Sequence, residues 1–528
     1  MLKKIIISLI AAVSITAQAQ FINVKDFGAA GDGRTLDTKP LQAAIDKCSL
    51  TGGTVLFPQG IYLSGSLELK SNVDIYIANG AVILGSTNIK DYKEYTPAFA
   101  SYNDQFLKHS IFYAENLSNI TIRGEGVIDG QGGAYKVTTR KKPDRYKNRP
   151  YVFRFVNCKN ISVKELTLQN SAMWMQQYLG CEDLFISGIK VINHANQNND
   201  MMDIDGCKNV IISNCLGDTD DDGITLKSTS PQITENVTIT GCILSSHCNA
   251  LKLGTESTGG FRNITVSNIV IKPSRFVSAI YGKPGGTSGI TLATVDGGML
   301  KGVIITNVRI EGPQVPLCIR LGNRARKYTE SAPAPGYGYL DDVMISNITA
   351  DNVDSIGCSI TGIPGHPVKN ITLSNIKINF AGGGSLADRE KTVPELEDSY
   401  PEGTMWGNLP AYGMYIRHAE NISLSGVCFT FNAAERRPAL LADDVNGLTV
   451  NFLNAAGTAA DAHFEFRDVK NAVVSGCRPL DKINSFLLVS GKASGNIIVK
   501  DNFLKNAENV FIVKDADKGA VTESGNIR

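Results

Sequence analysis

Short stretches in which Ile, Val or Leu alternates with Ser, Thr or Lys recur along most of this 528-residue chain, each opened by an asparagine or an aspartate. The unit reads Asn, apolar, small polar, apolar, small polar, Asn or Gly, apolar. It runs Asn119-Ile120-Thr121-Ile122, Asn160-Ile161-Ser162-Val163 and Asn209-Val210-Ile211-Ile212-Ser213-Asn214-Cys215, then Asn236-Val237-Thr238-Ile239-Thr240-Gly241-Cys242 and Asn263-Ile264-Thr265-Val266. Later copies start at Asp342, Asn370, Asn421, Asn471 and Asn496. A period of two is a strand signal that sends the apolar side chains to one face. One such strand cannot bury that face alone. Copies about 27 residues apart where tightest fall within the solenoid window, so successive strands stack over one continuous core. Asn suits the turns because it bonds nearby backbone and tolerates left-handed geometry. The Leu-x-x-Leu-x-Leu consensus of leucine-rich repeats is absent, and propeller blades are longer. The pattern therefore predicts an all-β fold, a single-stranded parallel β-helix.

The breaks in the rhythm predict the rest of the architecture. Residues 132–150, 324–340 and 381–412 interrupt the repeat and are expected as inserted loops on one side of the solenoid. Leu41 to Cys48 predicts a short amphipathic helix, suited to capping the exposed N-terminal end of the core. Lys3 and Lys4, an apolar run from Ile5 to Ile15, and Ala17-Gln18-Ala19 form the three parts of a cleavable export signal over residues 1–19. The mature chain, 20–528, is then expected as one catalytic domain in the periplasm or medium, with no membrane insertion.

Composition narrows the function. Lys and Arg number 52 against 51 Asp and Glu, a formal charge of +1, which disfavours nucleic-acid binding through a broad basic surface. The 51 Gly and two Trp fit strands and turns rather than helices. Eleven Cys are an odd number, and several fall at one phase of the repeat, as buried thiols stacked in a core would. A Cys181–Cys207 or Cys242–Cys248 bridge is the alternative. Neither Cys nor His spacing suggests zinc, and no metal or cofactor is expected.

The most polar stretch lies in the best-repeated region: Asn198-Asn199-Asp200-Met201-Met202-Asp203-Ile204-Asp205-Gly206, then Asp218-Thr219-Asp220-Asp221-Asp222-Gly223-Ile224. About one coil separates Asp200 from Asp221 and Asp222, so a solenoid would bring them to one surface. Crowded carboxyls resist ionising together, leaving an acid beside a base. Glycoside hydrolysis requires that pair. Acid clusters also bind calcium, and Asp in such turns is often a turn-former, the reading preferred for Asp218 and Asp220. Asp221 and Asp222 can serve one groove only if the chain bends between them.

Here the sequence resembles glycoside hydrolase family 28, the polygalacturonase and rhamnogalacturonan hydrolase-like enzymes. Val24-Lys25-Asp26-Phe27-Gly28-Ala29, Gly52-Gly53-Thr54-Val55-Leu56-Phe57-Pro58 and Gly126-Val127-Ile128-Asp129-Gly130 match a wider set of pectin-degrading β-helices. Asn198-Asn199-Asp200 is similar to the family's Asn-Thr-Asp, and Asp221-Asp222 to its Gly-Asp-Asp. The resemblance implies a right-handed β-helix and an inverting mechanism, with Asp221 as general acid and Asp200 and Asp222 positioning and deprotonating water. Asp220 replaces the family's Gly before the pair. Asn249 stands where the family has the His of Gly-His-Gly, and His247, two residues earlier, is the substitute candidate. Of the family's Arg-Ile-Lys, at most Lys283 is retained. With Asn198, Lys252 and Arg320, these residues make up the candidate substrate-binding set.

An Arg can grip a uronate carboxylate with two parallel bonds, which is why Arg320 is included; Arg324 and Arg417 offer the same chemistry. Trp174, one coil before the acids, either stacks on a sugar or packs in the core. The reading is an inverting glycosidase on pectin-type galacturonan or rhamnogalacturonan, its partner a uronate-containing poly- or oligosaccharide, its expected state a monomer. A calcium-dependent polysaccharide lyase and a non-catalytic β-helix binding protein are the alternatives, and fold alone does not separate them.

Overall fold

The computed structural model describes residues 21–102, 106–139, 141 and 144–528; the export signal read in residues 1–19 lies outside them. The described strands join in one parallel ladder, and the chain coils through three stacked faces. One column shows the principle. Ile120, Ile161, Leu184, Val210, Val237 and Ile264 pair directly one above the next, each the apolar residue that follows the Asn or Asp of its coil. The column continues through Val303, Val343, Ile371, Ile422, Leu448 and Ala472 to Ile497. All are buried in one core running the length of the molecule. The fold is a right-handed parallel β-helix, the hand that crossovers between parallel strands almost always take.

The asparagines turn the corners. Asn119, Asn160, Asn209, Asn236 and Asn263 have φ between 53° and 60°, the left-handed region where Asn is tolerated better than most residues. Their side chains form a ladder of their own. Asn236 Nδ2 donates to Asn209 Oδ1 at 3.1 Å, and Asn263 Nδ2 donates to Asn236 Oδ1 at 3.1 Å. The repeated residue thus supplies both the backbone conformation and a bond between coils.

The capping helix spans Thr38–Thr51, three residues longer at each end than predicted, and buries Leu41, Ala44, Ile45 and Cys48 on the core end. The Asp37 carboxylate before it accepts from the amides of Ala30 at 2.7 Å and Gly31 at 2.8 Å, fixing the incoming chain. All eleven Cys are free thiols, so neither bridge considered from the sequence forms. Cys181 and Cys207 instead point their sulfurs at the carbonyls of Phe155 and Tyr178 on the preceding coil.

One face matters for the site. Its strands include Tyr151–Val156, Gln176–Leu179, Met202–Asp205, Ile224–Ser228, Asn249–Ser257, Ser288–Thr294 and Val315–Leu321. Side chains from the three interrupted stretches, Arg145 and Tyr146, Arg324 and Arg326, and Tyr400, together with Tyr102, Phe106 and Tyr281, line a cavity over this face.

Candidate active site

The carboxylates stand where chain enters two strands of that face. Asp200 precedes Met202–Asp205, and Asp221 and Asp222 precede Ile224–Ser228. The bend the Asp pair requires is present. The strand Leu216–Thr219 ends, and residues 220–223 turn before the next begins. Thr219 Oγ1 and Ser246 Oγ both donate to the Asp221 carbonyl, at 2.8 and 2.6 Å. Gly223 closes the bend, since a Cβ there would lie 2.3 Å from the Ala250 carbonyl oxygen. The Asp200 turn is held in the same way: Asn193 Nδ2 donates to the Asp200 carbonyl at 2.9 Å, and Asn199 Nδ2 to those of Ser171 and Met173.

The two members of the Asp pair have opposite surroundings. Asp222 Oδ1 accepts from the Asn249 backbone amide at 3.1 Å and from Asn249 Nδ2 at 2.7 Å, while Oδ2 accepts from Lys252 Nζ at 2.9 Å. Burial acts to raise Asp222, but the ammoniums of Lys252 and Lys227 and the Asn249 bond outweigh it and hold this carboxyl below its ordinary range. Asp221 has a 3.3 Å bond from Asn198 Nδ2 and the amide of Asp222 at 2.9 Å. Burial, and then the Asp222 charge, push it up to about 7, against the pull of the two lysines. Burial and then Asp221 and Asp203 carry Asp200 well above the carboxylate range, and among the described residues its Oδ1 has no hydrogen-bond partner. A proton-holding carboxyl therefore adjoins an ionised one, the arrangement acid–base chemistry on a glycosidic bond needs.

These groups form the floor of a cavity of about 240 Å³. Tyr102 and Phe106, Arg145 and Tyr146, Tyr281, Arg324 and Arg326, and Tyr400 line it, each from a different loop. Lys227 lies 3.4 Å from both Asp203 and Glu256, and 4.6 Å from the Trp174 ring centre. Glu256 also pairs with Arg326 at 2.5 Å, and Arg324 is held by Asp296. Arg145 is less engaged. Its Nη2 is 3.4 Å from Gln197 Oε1 and Asn198 Oδ1, its Nε has no hydrogen-bond partner among the described residues, and the rings of Tyr146 and Tyr281 lie at 5.5 and 5.4 Å from it.

Of the residues singled out in the sequence, Asp200, Asp221, Asp222 and Asn198 line this cavity, and Asn249 and Lys252 stand directly behind Asp222. Three do not belong to it. His247 precedes the strand rather than lying on it, so the alternation that would have put it beside Asn249 does not apply. Its ring is wholly buried, with Nδ1 at 2.9 Å from Asp220 and Nε2 at 2.8 Å from the Phe276 carbonyl. Lys283 is exposed over a separate surface hollow beside Pro284, Gln314 and Asp354. Arg320 is 2% exposed, because it turns inward to the carbonyls of Gly362 and Glu395, at 2.9 and 2.6 Å, beneath the 381–412 loop. Trp174 packs on Tyr151 in a small buried cluster and also lines the cavity.

Sequence reasoning missed Arg145, Tyr281, Arg326 and Tyr400, which come from loops without a repeat to place them. Lys227 had a usable signal, since strand alternation from Asp205 and its pairing partner puts it on the acids' face. As to metals, one O or S atom each of Asp221, Asp222 and Cys248 lies within 4.8 Å of the others. Lys252 and Asn249 already occupy Asp222, so a cation there would meet an ammonium.

The comparisons agree with this geometry. The model of the glycosyl hydrolases family 28 matches residues 48–396. A probable polygalacturonase of Vitis vinifera is 26% identical over 444 residues, covering 77% of this chain and 87% of that protein. An exo-poly-alpha-D-galacturonosidase of Dickeya chrysanthemi is 24% identical over 457 residues, covering 75% and 72%. Among solved structures, a family 28 exopolygalacturonase of Yersinia enterocolitica superposes with a TM-score of 0.63 at 19% identity, covering 82% of this chain and 79% of that one. Match to the family over most of its length, together with a β-helix that carries the paired acids, places this chain in glycosyl hydrolases family 28, as a glycoside hydrolase.

Proposed function

We propose that the protein is an inverting, exo-acting hydrolase that removes a terminal uronate-type residue from pectic chains. The observation that carries the reading is the loop-lined pocket with an ionised Asp222 beside a proton-holding Asp221 on its floor. Asp221 gives its proton to the leaving oxygen. Asp222 takes one from water, and Asp200 orients that water. Asp222 is the better base of the two because Lys252 and Asn249 keep it ionised, whereas burial and the neighbouring carboxylates push Asp200 toward its protonated form. Oxygens of Asp221 and Asp222 lie within 4.8 Å of one another, closer than the ~6.5–9.5 Å usual between an inverting pair, so inversion rests on the family resemblance and is tested by the stereochemistry of the product.

Two further features support the substrate. With Asp200 and Asp221 protonated, Lys227, Arg145, Arg324 and Arg326 outnumber the charges of Asp222 and Glu256 in the pocket. That surplus suits an anionic sugar, and the under-bonded Arg145 is the guanidinium placed to grip its carboxylate. Side chains from five loops around one small floor of about 240 Å³ favour a chain end over a through-running polymer. The names of the Dickeya and Yersinia relatives agree with exo action on galacturonan.

The test is product analysis on oligogalacturonides and rhamnogalacturonan oligosaccharides, with and without a calcium chelator, beside Asp221→Asn. Release of one saturated sugar per cut, insensitive to chelation and lost in Asp221→Asn, is the expected result. An unsaturated, calcium-dependent product would replace the hydrolase with a lyase.

A further inference from the structure

Behind the Asp pair lies a second cluster that the proposed reaction does not use. His194, Asp220 and His247 each follow directly on mutually paired residues, Asn193, Thr219 and Ser246, of three successive coils. One ring nitrogen of each His and one carboxylate oxygen of Asp220 lie within 4.8 Å of one another. We propose that this His-Asp-His ladder binds one divalent transition-metal ion, zinc being the best fit, which ties the loop carrying Tyr281 to the turn carrying Asp221 and Asp222.

The hydrogen bonds fix which nitrogens face the centre. His247 Nε2 lies 2.8 Å from the Phe276 carbonyl, which can only accept, so Nε2 carries a hydrogen and Nδ1, hydrogen-bonded to Asp220 Oδ1 at 2.9 Å, is the nitrogen that faces the cluster. His194 Nε2 lies 2.9 Å from the Asp218 carboxylate, which turns Nδ1 of that ring toward Asp220, at 3.9 Å. Among the described residues that buried nitrogen has no hydrogen-bond partner, in a side chain only 8% exposed. Something electropositive must sit between these nitrogens and the Asp220 carboxylate, a proton on each ring without metal and a divalent ion with it, since metal binding releases ligand protons. His ligands held from behind by a carboxylate and a carbonyl are the usual supporting arrangement of a metal site.

Spacing and donor type select the ion. Asp220 Oδ1 is 2.9 Å from His247 Nδ1 and 3.9 Å from His194 Nδ1. These bracket the ~3.3 Å between ligands that tetrahedral zinc with ~2.0 Å bonds requires. Two imidazoles and one carboxylate suit zinc and its neighbours rather than calcium or magnesium, which take oxygen. The Phe276 ring, 4.1 Å from that of His194, covers the site.

The position makes the ion a staple. Asp220 also accepts the backbone amides of Ile280 at 2.7 Å and Tyr281 at 2.6 Å, and so already holds the loop that lends Tyr281 to the pocket. Its chain neighbour is Asp221. The ligands are 26 and 27 residues apart, one coil each. No short metal motif appears in the sequence for that reason.

The experiment is metal analysis of the untagged protein, grown with zinc and dialysed, by inductively coupled plasma mass spectrometry. About one zinc per chain is expected, with a melting temperature that falls on stripping and is restored by zinc but not calcium. His194→Gln should abolish both responses. Cys248→Ser should keep them, which separates this cluster from Asp221, Asp222 and Cys248. Should His194→Gln fail to fold, X-ray absorption of the zinc-loaded wild type should show imidazole scattering and no sulfur. Zinc below about a tenth of an equivalent, a sulfur shell, or a folded His194→Gln that retains the metal would overturn the proposal. The result stands apart from the hydrolase assignment, because none of these readouts is activity.

Discussion

Asp221 and Asp222 are neighbours in the chain with opposite electrostatic fates, and their partners explain why. Asp222 has a lysine and an asparagine; Asp221 has burial and the charge of Asp222. Because Asp221 must be protonated to act as acid, kcat/KM should fall as pH rises through about 7. The acid limb, set by ionisation of Asp222, should lie below the ordinary carboxylate range. The two limbs belong to the coupled pair rather than to either residue alone. Lys252→Met removes the ammonium that keeps Asp222 ionised, so its acid limb should move to higher pH, as a pH–rate profile would show. Asp221→Asn should lower kcat by about 10²–10⁴-fold. It should also stabilise the protein in alkali. A carboxyl whose folded pKa is raised adds stability below its unfolded value and loses it as pH rises through the folded one, here from about 4 to about 7. The melting temperature of Asp221→Asn should therefore gain on wild type across that window. Arg145→Gln should raise KM about 10–100-fold for a uronate-ended substrate and far less for its methyl ester, if the guanidinium grips the carboxylate.

Strands and their corners were legible because one repeated unit states both. Alternation named the inward residues, and the asparagine at the head of each copy named the left-handed corner. Asn236 pairs with both Asn209 and Asn263, so Asn236→Ala should lose two ladder bonds and strain a φ of 56°, costing about 1–3 kcal/mol. Asn236→Gly should cost less, since it keeps the conformation; thermal melting compares the two. Loops carry no such repeat. Their positions could be read from the gaps, but not which side chain turns into the pocket and which beneath the loop. Arg320 illustrates this: a guanidinium in a strand reads as a ligand for sugar, yet it is spent on the carbonyls of Gly362 and Glu395. Arg437 anchors the same loop through the carbonyls of Leu409 and Ser355. Arg320→Ala should cost about 2–4 kcal/mol through these orphaned acceptors. By loosening the loop that bears Tyr400, it should also lower kcat/KM without moving the pH profile.

Across the whole molecule, a continuous solenoid offers a long open face, and side chains from several loops line a pocket over part of it. The repeat told the sequence reader that Asp200 and the Asp pair would stack, because residues one coil apart are neighbours by construction. It could not tell that His247 leaves the groove, since the residue lies just before its strand, where alternation has no authority. The same stacking assembles charge from distant loops: Arg145, Arg324 and Arg326 meet over one floor only in the coiled chain. The most decisive single measurement is proton NMR of a short oligogalacturonide during its first turnover. An inverting exo-hydrolase would release one saturated terminal residue whose new anomeric centre is opposite in configuration to the bond cut, and Asp221→Asn would release it about 10²–10⁴-fold more slowly. Retained configuration, an internal cut or a double bond in the product would contradict the assignment of Asp221 as acid and Asp222 as base for release of a terminal residue.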